Sequence, residues 1–458
     1  MTFAPTPEVD QQILNLGLEG YIDSQLALNT PHAGTEARIS NYTALRPTMS
    51  ALRSARDNDD RLMEHELVHA AFIRAIYSPH QVFEVLQRLW LDHFNISFGD
   101  NNDHHLTAHY QEQVLRPNGM GRFRDLLVAT AHSPGMMLYL DNWISDARSG
   151  INENYGRELL ELHTLGIDLE GNKIYTEDDV VGASHVMSGW SLTERNTPVF
   201  QYKPEYHSTE PISLLGGQWT NAGLNGKDAG DSLLAFLASH PQTARYVSTK
   251  LIRRFVTDNP PEALIASAAQ VYLNNDTNIV PVIRHILGSA AFANSAGQKL
   301  RRPFEQIAAS ARALGVETSN DPESQGAERV FTAIGNLSHR PFDHSTPDGY
   351  PDVAEPWLSS GMMLRRWESG ATMARNRYGS DGTMVYDVAA LRGSANTALE
   401  LFERLTNRLN LGQLSAQTRA EVFAVLDISD DTLIDDFRNN DFQDLVSFLT
   451  AHPFFQLR

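Results

Sequence analysis

The stretch INENYGRELLELHTLG, residues 151 to 166, places Glu153, Arg157, Glu158, Glu161 and His163 on one predicted helix. Two carboxylates side by side can split their roles, one keeping its proton as an acid while the other ionises as a base or nucleophile. That arrangement serves general acid-base chemistry and glycoside hydrolysis. At about 100° per residue the helix divides into two faces. Arg157, Glu158 and Glu161 share one face, whereas His163 falls opposite, among Tyr155, Leu159, Leu160 and Leu162. His163 therefore reads as a core histidine bonded to backbone rather than as a partner of the glutamates. Arg157 stands four residues after Glu153 and four before Glu161, a ladder that stabilises an exposed helix by about 0.2–0.5 kcal/mol per pair. Glu158 is left beside Glu161 at i+3, where like charges repel. Two readings stay open: a solvated ion network, or a buried pair in which another cation, a metal or a shared proton balances Glu158. Under the second, Glu158 and Glu161 are the acid-base candidates and Arg157 tunes their ionisation.

A second cluster is FGDNNDHHLTAHY, residues 98 to 110. Asp103 is a predicted helix cap, and His105 and His109 stand four apart, the spacing that lets two imidazoles hold one zinc ion. Leu106 follows His105 where a zinc-protease motif has its glutamate. A third ligand must come from His93, Asp92 or the Glu158 and Glu161 face, and without one the cluster is a solvated helix start. A divalent metal is thus one expectation. Nucleotide chemistry is not, because GxGxxG and GxxxxGK[ST] loops are both absent, as is the GxSxG elbow. KLIRRF at 250–255 and KLRRPFE at 299–305 supply Lys250, Arg253, Arg254, Lys299, Arg301 and Arg302. They are either solvated helix faces or cations for the acidic helix or an anionic substrate, with Arg254 the substrate-binding candidate. Trp190, Tyr350 and Trp357 are predicted stacking surfaces for a sugar ring.

The elements that must position these residues are helices. SPHQVFEVLQRLWLDHF, from Ser78, has Ser78 as predicted N-cap, Pro79 at N1, and Phe83, Leu86 and Trp90 at helical spacing. Similar spacing recurs in Phe123, Leu126, Leu127; Ala244, Val247, Leu251, Phe255; Ile283, Ile286, Leu287; and Leu399, Phe402, Leu405, Leu409. Helix-to-helix corners are predicted at YSP, HSP, SHP and AHP, at 77–79, 132–134, 239–241 and 451–453, since proline suits the first turn of the following helix. From 166 to 230 the pattern breaks into Gly, Pro, Asn and Thr with short alternations, predicting turns and a few strands. Thr176 and Asp179 cap a helix inside that stretch. The proline-rich run 339–357 has almost no periodicity, and long loops of this kind in a helical protein tend to line sites. The expectation is a mainly α fold. One large helical domain over 1–458 is built of packed hairpins, as a bundle or an α/α toroid, with an irregular, few-stranded insertion at 166–230.

Composition narrows the partners. The 458 residues carry 56 Asp plus Glu against 37 Lys plus Arg, a formal charge of −19 that opposes nucleic acid and anionic lipid. No cysteine is present, so His, Asp and Glu must carry any metal, and the chain suits an oxidising compartment. No run of 18 apolar residues occurs, which predicts no membrane span.

Several motifs in order also carry a resemblance: HSPGMMLYLDN at 132–142, NENYGRELLELHTLG, YTEDDV and SGW within 175–190, HPQTARYVSTKLIRRFV at 240–256 and PDGYPDVAEPWLSSGMMLRRW at 347–367. Over nearly its whole length the chain resembles the bacterial family designated domain of unknown function 1800 (DUF1800). The start, Thr2 to Pro7, resembles a family segment that usually follows an export signal. The resemblance thus implies a periplasmic or secreted, mainly helical protein whose signal is absent from this numbering. It brings no established activity. Members are often encoded beside another exported family resembling sulfatases and phosphatases, which points to extracellular polymer metabolism and to that neighbour as a partner. His207 matches a family histidine and is a substrate-binding candidate, but Ser208 and Pro211 replace the Asp and Lys that accompany it, and Gly156 stands where Ala is usual. Together these lines predict an exported hydrolase or lyase acting on a glycan, another extracellular polymer or a small-molecule substrate. A His-ligated metalloenzyme and a non-enzymatic binding module are the alternatives.

Overall fold

The computed structural model describes residues 1–98, 104–167, 171–194, 197–379, 381–412, 414–438 and 440–458. The fold is mainly α. Helices that bear on the site are α1 (Asp60–Tyr77), α2 (Gln81–His93), α3 (Asn154–Glu158), α4 (Glu177–Met187), α5 (Pro241–Phe255) and α6 (Pro303–Leu314). Helix pairs build the rest: α5 packs on Glu262–Asn274, which packs on Ile279–Leu287, each joined by a short connection, and Ser360–Ala374 packs on Asp441–Ala451 from far along the chain. One connected cluster of buried apolar side chains extends from Phe3 to Phe455.

Three of the four proline corners form as the spacing predicts. Ser133, His240 and His452 are N-caps, each followed by proline in the first turn. The fourth differs. Helix α2 begins at Gln81, not at Pro79, with His80 as its N-cap. The Gln25 side chain explains the shift: its Oε1 accepts from the Gln81 N–H at 3.0 Å and from the Val82 N–H at 3.4 Å, capping the helix from a distant segment. Gln81 in turn donates back to the carbonyls of Ser78 and Ala75, so Ser78 to His80 is held as a linker.

The segment 166–230 contains two short antiparallel pairs. β1 (Trp190–Leu192) pairs with β2 (Phe200–Tyr202), and β3 (Ser213–Leu214) pairs with β4 (Trp219–Thr220). Between the acidic helix and these strands stands α4, opened by the reciprocal Thr176 and Asp179 cap. A third pair, β5 (Glu317–Thr318) with β6 (Met384–Val385), lies outside this segment. No helix among the described residues is long and apolar enough to cross a membrane.

Candidate functional site

Helix α3 is short because of what it packs against. Gly156 faces α4 so closely that a Cβ there would run into the Ser184 hydroxyl, which brings the helix backbones together. Beyond Glu158 the chain widens into a π turn, Leu159–His163, and stops where Gly166 adopts φ +67 against the Tyr246 ring. Such π turns recur at functional sites. Tyr155, Leu159, Leu160 and His163 are buried, while Arg157, Glu158 and Glu161 are half-buried, so the two faces stay separate despite the π turn.

The polar face is wired differently from the expected ladder. Arg157 reaches back to Glu153 at 3.4 Å and across to Glu177 on α4, and makes no contact with Glu161. Glu161 is held by the Lys173 ammonium at 2.6 Å and the Tyr175 hydroxyl at 3.2 Å. Glu158 has no ion pair or hydrogen bond among the described residues. Burial pushes its carboxyl pKa up, and the charges of Glu161 and Asp348 push the same way against weaker opposition from Arg157 and Lys173. The unbalanced carboxylate is Glu158.

Asp348 comes from the run 339–357, and the sequence alone did not single it out. This loop is pinned. Asn95 donates to the carbonyls of His344 at 2.9 Å and Thr346 at 2.8 Å. Gly349, at φ +70, lies so close to the Asp92 carbonyl that a Cβ would clash with it, so the α2 terminus and the loop meet at a position only glycine fits. Asp348 accepts from Thr346 Oγ1 at 2.6 Å and lies 3.2 Å from His344 Nε2, bonds that draw its pKa down against burial. Two neighbouring carboxyls are thus driven in opposite directions, Glu158 up and Asp348 down.

Asp348 lines a cleft of about 200 Å³ together with Tyr350 and Asp352 from the same loop, Asp92 and His93 from α2, and Lys250 and Arg253 from α5. The cations decide its character. Lys250 is half-buried, lies 4.9 Å from the Tyr246 ring centroid, and has no carboxylate partner among the described residues. Among the described residues Arg253 bonds only to the Asp258 carbonyl, at 3.3 Å. The cleft's acids are already committed: Asp92 to Arg302 at 2.6 Å and Asp352 to Lys299 at 3.0 Å. His93 is buried and neutral, its pKa held well below 6.5 by burial and by Lys250, with Nε2 donating to the His163 carbonyl at 3.2 Å.

Behind the cleft lies a buried ion cluster. Glu305 takes Arg254 at 2.5 Å and Arg302 at 2.8 Å, and Asp352 takes Lys299, which also binds Asp258 at 2.7 Å. The surrounding guanidinium groups hold the Glu305 carboxyl far below its usual range despite complete burial. Arg254 is 0% exposed and paired with Glu305 inside this cluster, so it is not a substrate-binding residue; its neighbour Arg253 is half-buried and lines the cleft.

Other expected site residues fall elsewhere. Trp190 is 0% exposed, packed against His132, Phe200 and the Cα of Gly230, and Trp357 is buried with its Nε1 donating to the Pro351 carbonyl at 3.2 Å. Neither indole can stack on a sugar. Tyr350 does line the cleft, and it rests on Trp357 and His344. His207 Nδ1 donates to the Ser188 carbonyl at 2.9 Å, and the ring packs on Tyr202, away from the cleft. As the carbonyl can only accept, Nδ1 carries the hydrogen. His105 is buried with both ring nitrogens unbonded, its pKa lowered to about 4 by burial and by Arg56 and Arg53, while His109 is half-buried. Among the described residues no group of three His, Asp or Glu suited to a metal gathers around them. The predicted cap Asp103 lies outside the described residues.

The fold and site define a mainly helical protein with a pinned loop over a cation-bearing cleft. The chain belongs to the family described as protein of unknown function (DUF1800), whose model matches residues 1–457. No curated protein and no solved structure matches it.

Proposed function

We propose that the protein is an exported hydrolase or lyase acting on a polymer that bears anionic groups, such as an acidic glycan. The cleft beneath the 339–357 loop holds one charged unit. Lys250 and Arg253 take its carboxylate or sulfate, since they are the cations there without a carboxylate of their own. Tyr350 supplies the aromatic surface. Glu158, whose pKa burial and the charges of Glu161 and Asp348 push up, is the proton donor to the leaving oxygen, and Asp348, whose pKa is drawn down, takes the proton from the attacking water or from carbon. The cysteine-free chain is consistent with an oxidising compartment.

The observation that carries this reading is Asp348, which lines a cleft with two cations that lack a carboxylate among the described residues, and whose charge acts on Glu158, a carboxyl outside the lining with the opposite pKa shift. It is tested with polygalacturonate and alginate as probes, following new reducing ends and the absorbance of unsaturated uronate. Cleavage that falls about 100-fold or more in Glu158→Gln, with the fold intact by circular dichroism, supports the assignment. Equal cleavage by Glu158→Gln removes Glu158 from the chemistry. Saturable binding without cleavage leaves a binding module and ends the enzymatic reading.

A further inference from the structure

Helix α2 carries a further cation without a bonded carboxylate among the described residues, outside the lining of the cleft. Arg88 is 6% exposed, and its Nε and Nη2 are buried without any hydrogen-bond partner. Its guanidinium lies 4.8 Å from the Phe304 ring centroid, close to Phe3. Beside it is a chamber of about 20 Å³, which Gln87 and Gln111 also line. Both polar atoms of the Gln87 amide, and Oε1 of Gln111, are likewise buried and unbonded.

No carboxylate among the described residues bonds Arg88, although the charges of Asp92 and, more weakly, Glu305 act on it. Arg74 lines the same chamber but is bound to Glu112 at 2.7 Å and Glu36 at 2.6 Å. Arg116 is bound to Glu84 at 2.9 Å. These five groups form a closed ladder in which every carboxylate already holds a guanidinium. Asp92, one turn along α2, is taken by Arg302. A buried guanidinium without a bonded counter-ion is costly, and the two adjacent free N–H groups of Arg88 form the fork that grips an anion. The lowered pKa of Arg88, about 10, follows from the same burial and leaves it charged at neutral pH.

We propose that this chamber is a binding site for one monoatomic anion, chloride in practice, held by Arg88 Nε and Nη2 with the Gln87 amide as a third donor. Size selects the ligand. A water-sized body needs about 10–15 Å³ of such space, so the chamber admits one or two such bodies and excludes phosphate, sulfate and carboxylates. The anion neutralises Arg88 where α2 passes between the N-terminal segment at Phe3 and helix α6 at Phe304, and so fixes the helix whose far end supports the cleft.

The full chain, dialysed into sodium gluconate, is titrated with NaCl or NaBr at constant ionic strength while its Tm is followed. A saturable rise of several degrees with either halide, absent in Arg88→Met, is the expected result. Equal Tm in gluconate and halide overturns the site. Crystals grown from bromide decide the matter if Arg88→Met fails to fold: an anomalous bromide peak within hydrogen-bond range of Arg88 Nε and Nη2 is expected, and a peak without anomalous signal identifies water and overturns the proposal. Neither readout depends on turnover, so the outcome is independent of the activity proposed for the cleft.

Discussion

The ion cluster behind α2 and the carboxylate face on α3 use the same residue types to opposite ends. In the cluster, Glu305, Asp352 and Asp92 each meet cations at 2.5–3.0 Å, with Glu305 buried and the two aspartates nearly so. There the charges are structural, because each group is compensated by a neighbour fixed in the same interior. On the α3 face Glu158 has no cation in contact among the described residues, and across the loop Lys250 and Arg253 have no carboxylate among them either. Satisfied charges hold a fold together, whereas unsatisfied charges of both signs near one cleft leave interactions for a ligand to complete.

Acidification separates the interior from the face most strongly. Burial lowers the pKa of His69 to about 4 and of His163 to about 3. Both lie below the unfolded value of about 6.5, so the unfolded chain protonates first. The stability these residues contribute is full above pH 6.5 and is lost as pH falls toward the folded values, by about 1.4 kcal/mol per pH unit for each. Urea midpoints measured from pH 7 to 4 should fall accordingly, and a flat profile would contradict the burial of these rings. Next in size, Glu305→Ala should cost about 3–5 kcal/mol in urea unfolding, because it leaves Arg254 and Arg302 short of a buried partner. A loss under about 1 kcal/mol would dissolve the contrast, since it would place this cluster on a par with surface ion pairs.

Lys250→Met should do the reverse. Stability should change by about 0.5 kcal/mol or less, while affinity for a uronate oligosaccharide, followed by calorimetry, should drop about tenfold, the equivalent of roughly 1.4 kcal/mol. The smallest effect on stability belongs to Glu158→Gln. Because the folded pKa of Glu158 lies above its unfolded value, the ionised group opposes folding at neutral pH. The substitution should therefore raise Tm slightly at pH 7 and leave it unchanged below pH 4.5, where the carboxyl is protonated in both states.

Helical periodicity made most of this fold legible, along with three of the four proline corners and the capped helix inside the irregular segment. The division of the 151–166 helix into an acidic and an apolar face was legible too, and it survived a π turn that no spacing rule anticipates. What escaped were partners brought from far along the chain. Lys173 and Tyr175 reach Glu161 through a loop, and Asp348 comes close to Glu158 from nearly two hundred positions away in a run without periodicity. Gln25, which resets the start of α2, is equally remote. One misassignment had a readable signal. Arg254 stands three residues after Leu251 and seven after Val247, on the buried stripe of α5, whereas Lys250 and Arg253 flank that stripe. Trp190 and Trp357 lacked such a signal, since aromatic rings in irregular segments give no period from which to infer a face.

The central claim is that Glu158 is the carboxyl whose ionisation nothing adjacent compensates. A ¹³C NMR titration of the glutamate side-chain carboxyls, with Glu158 assigned by its loss in Glu158→Gln, measures this directly. The account predicts a pKa above 4.5 that moves down in Asp348→Asn and in Glu161→Gln. A value at or below 4.5, unmoved by either substitution, would show that the face is an ordinary solvated ion network and would remove the acid from the proposed site.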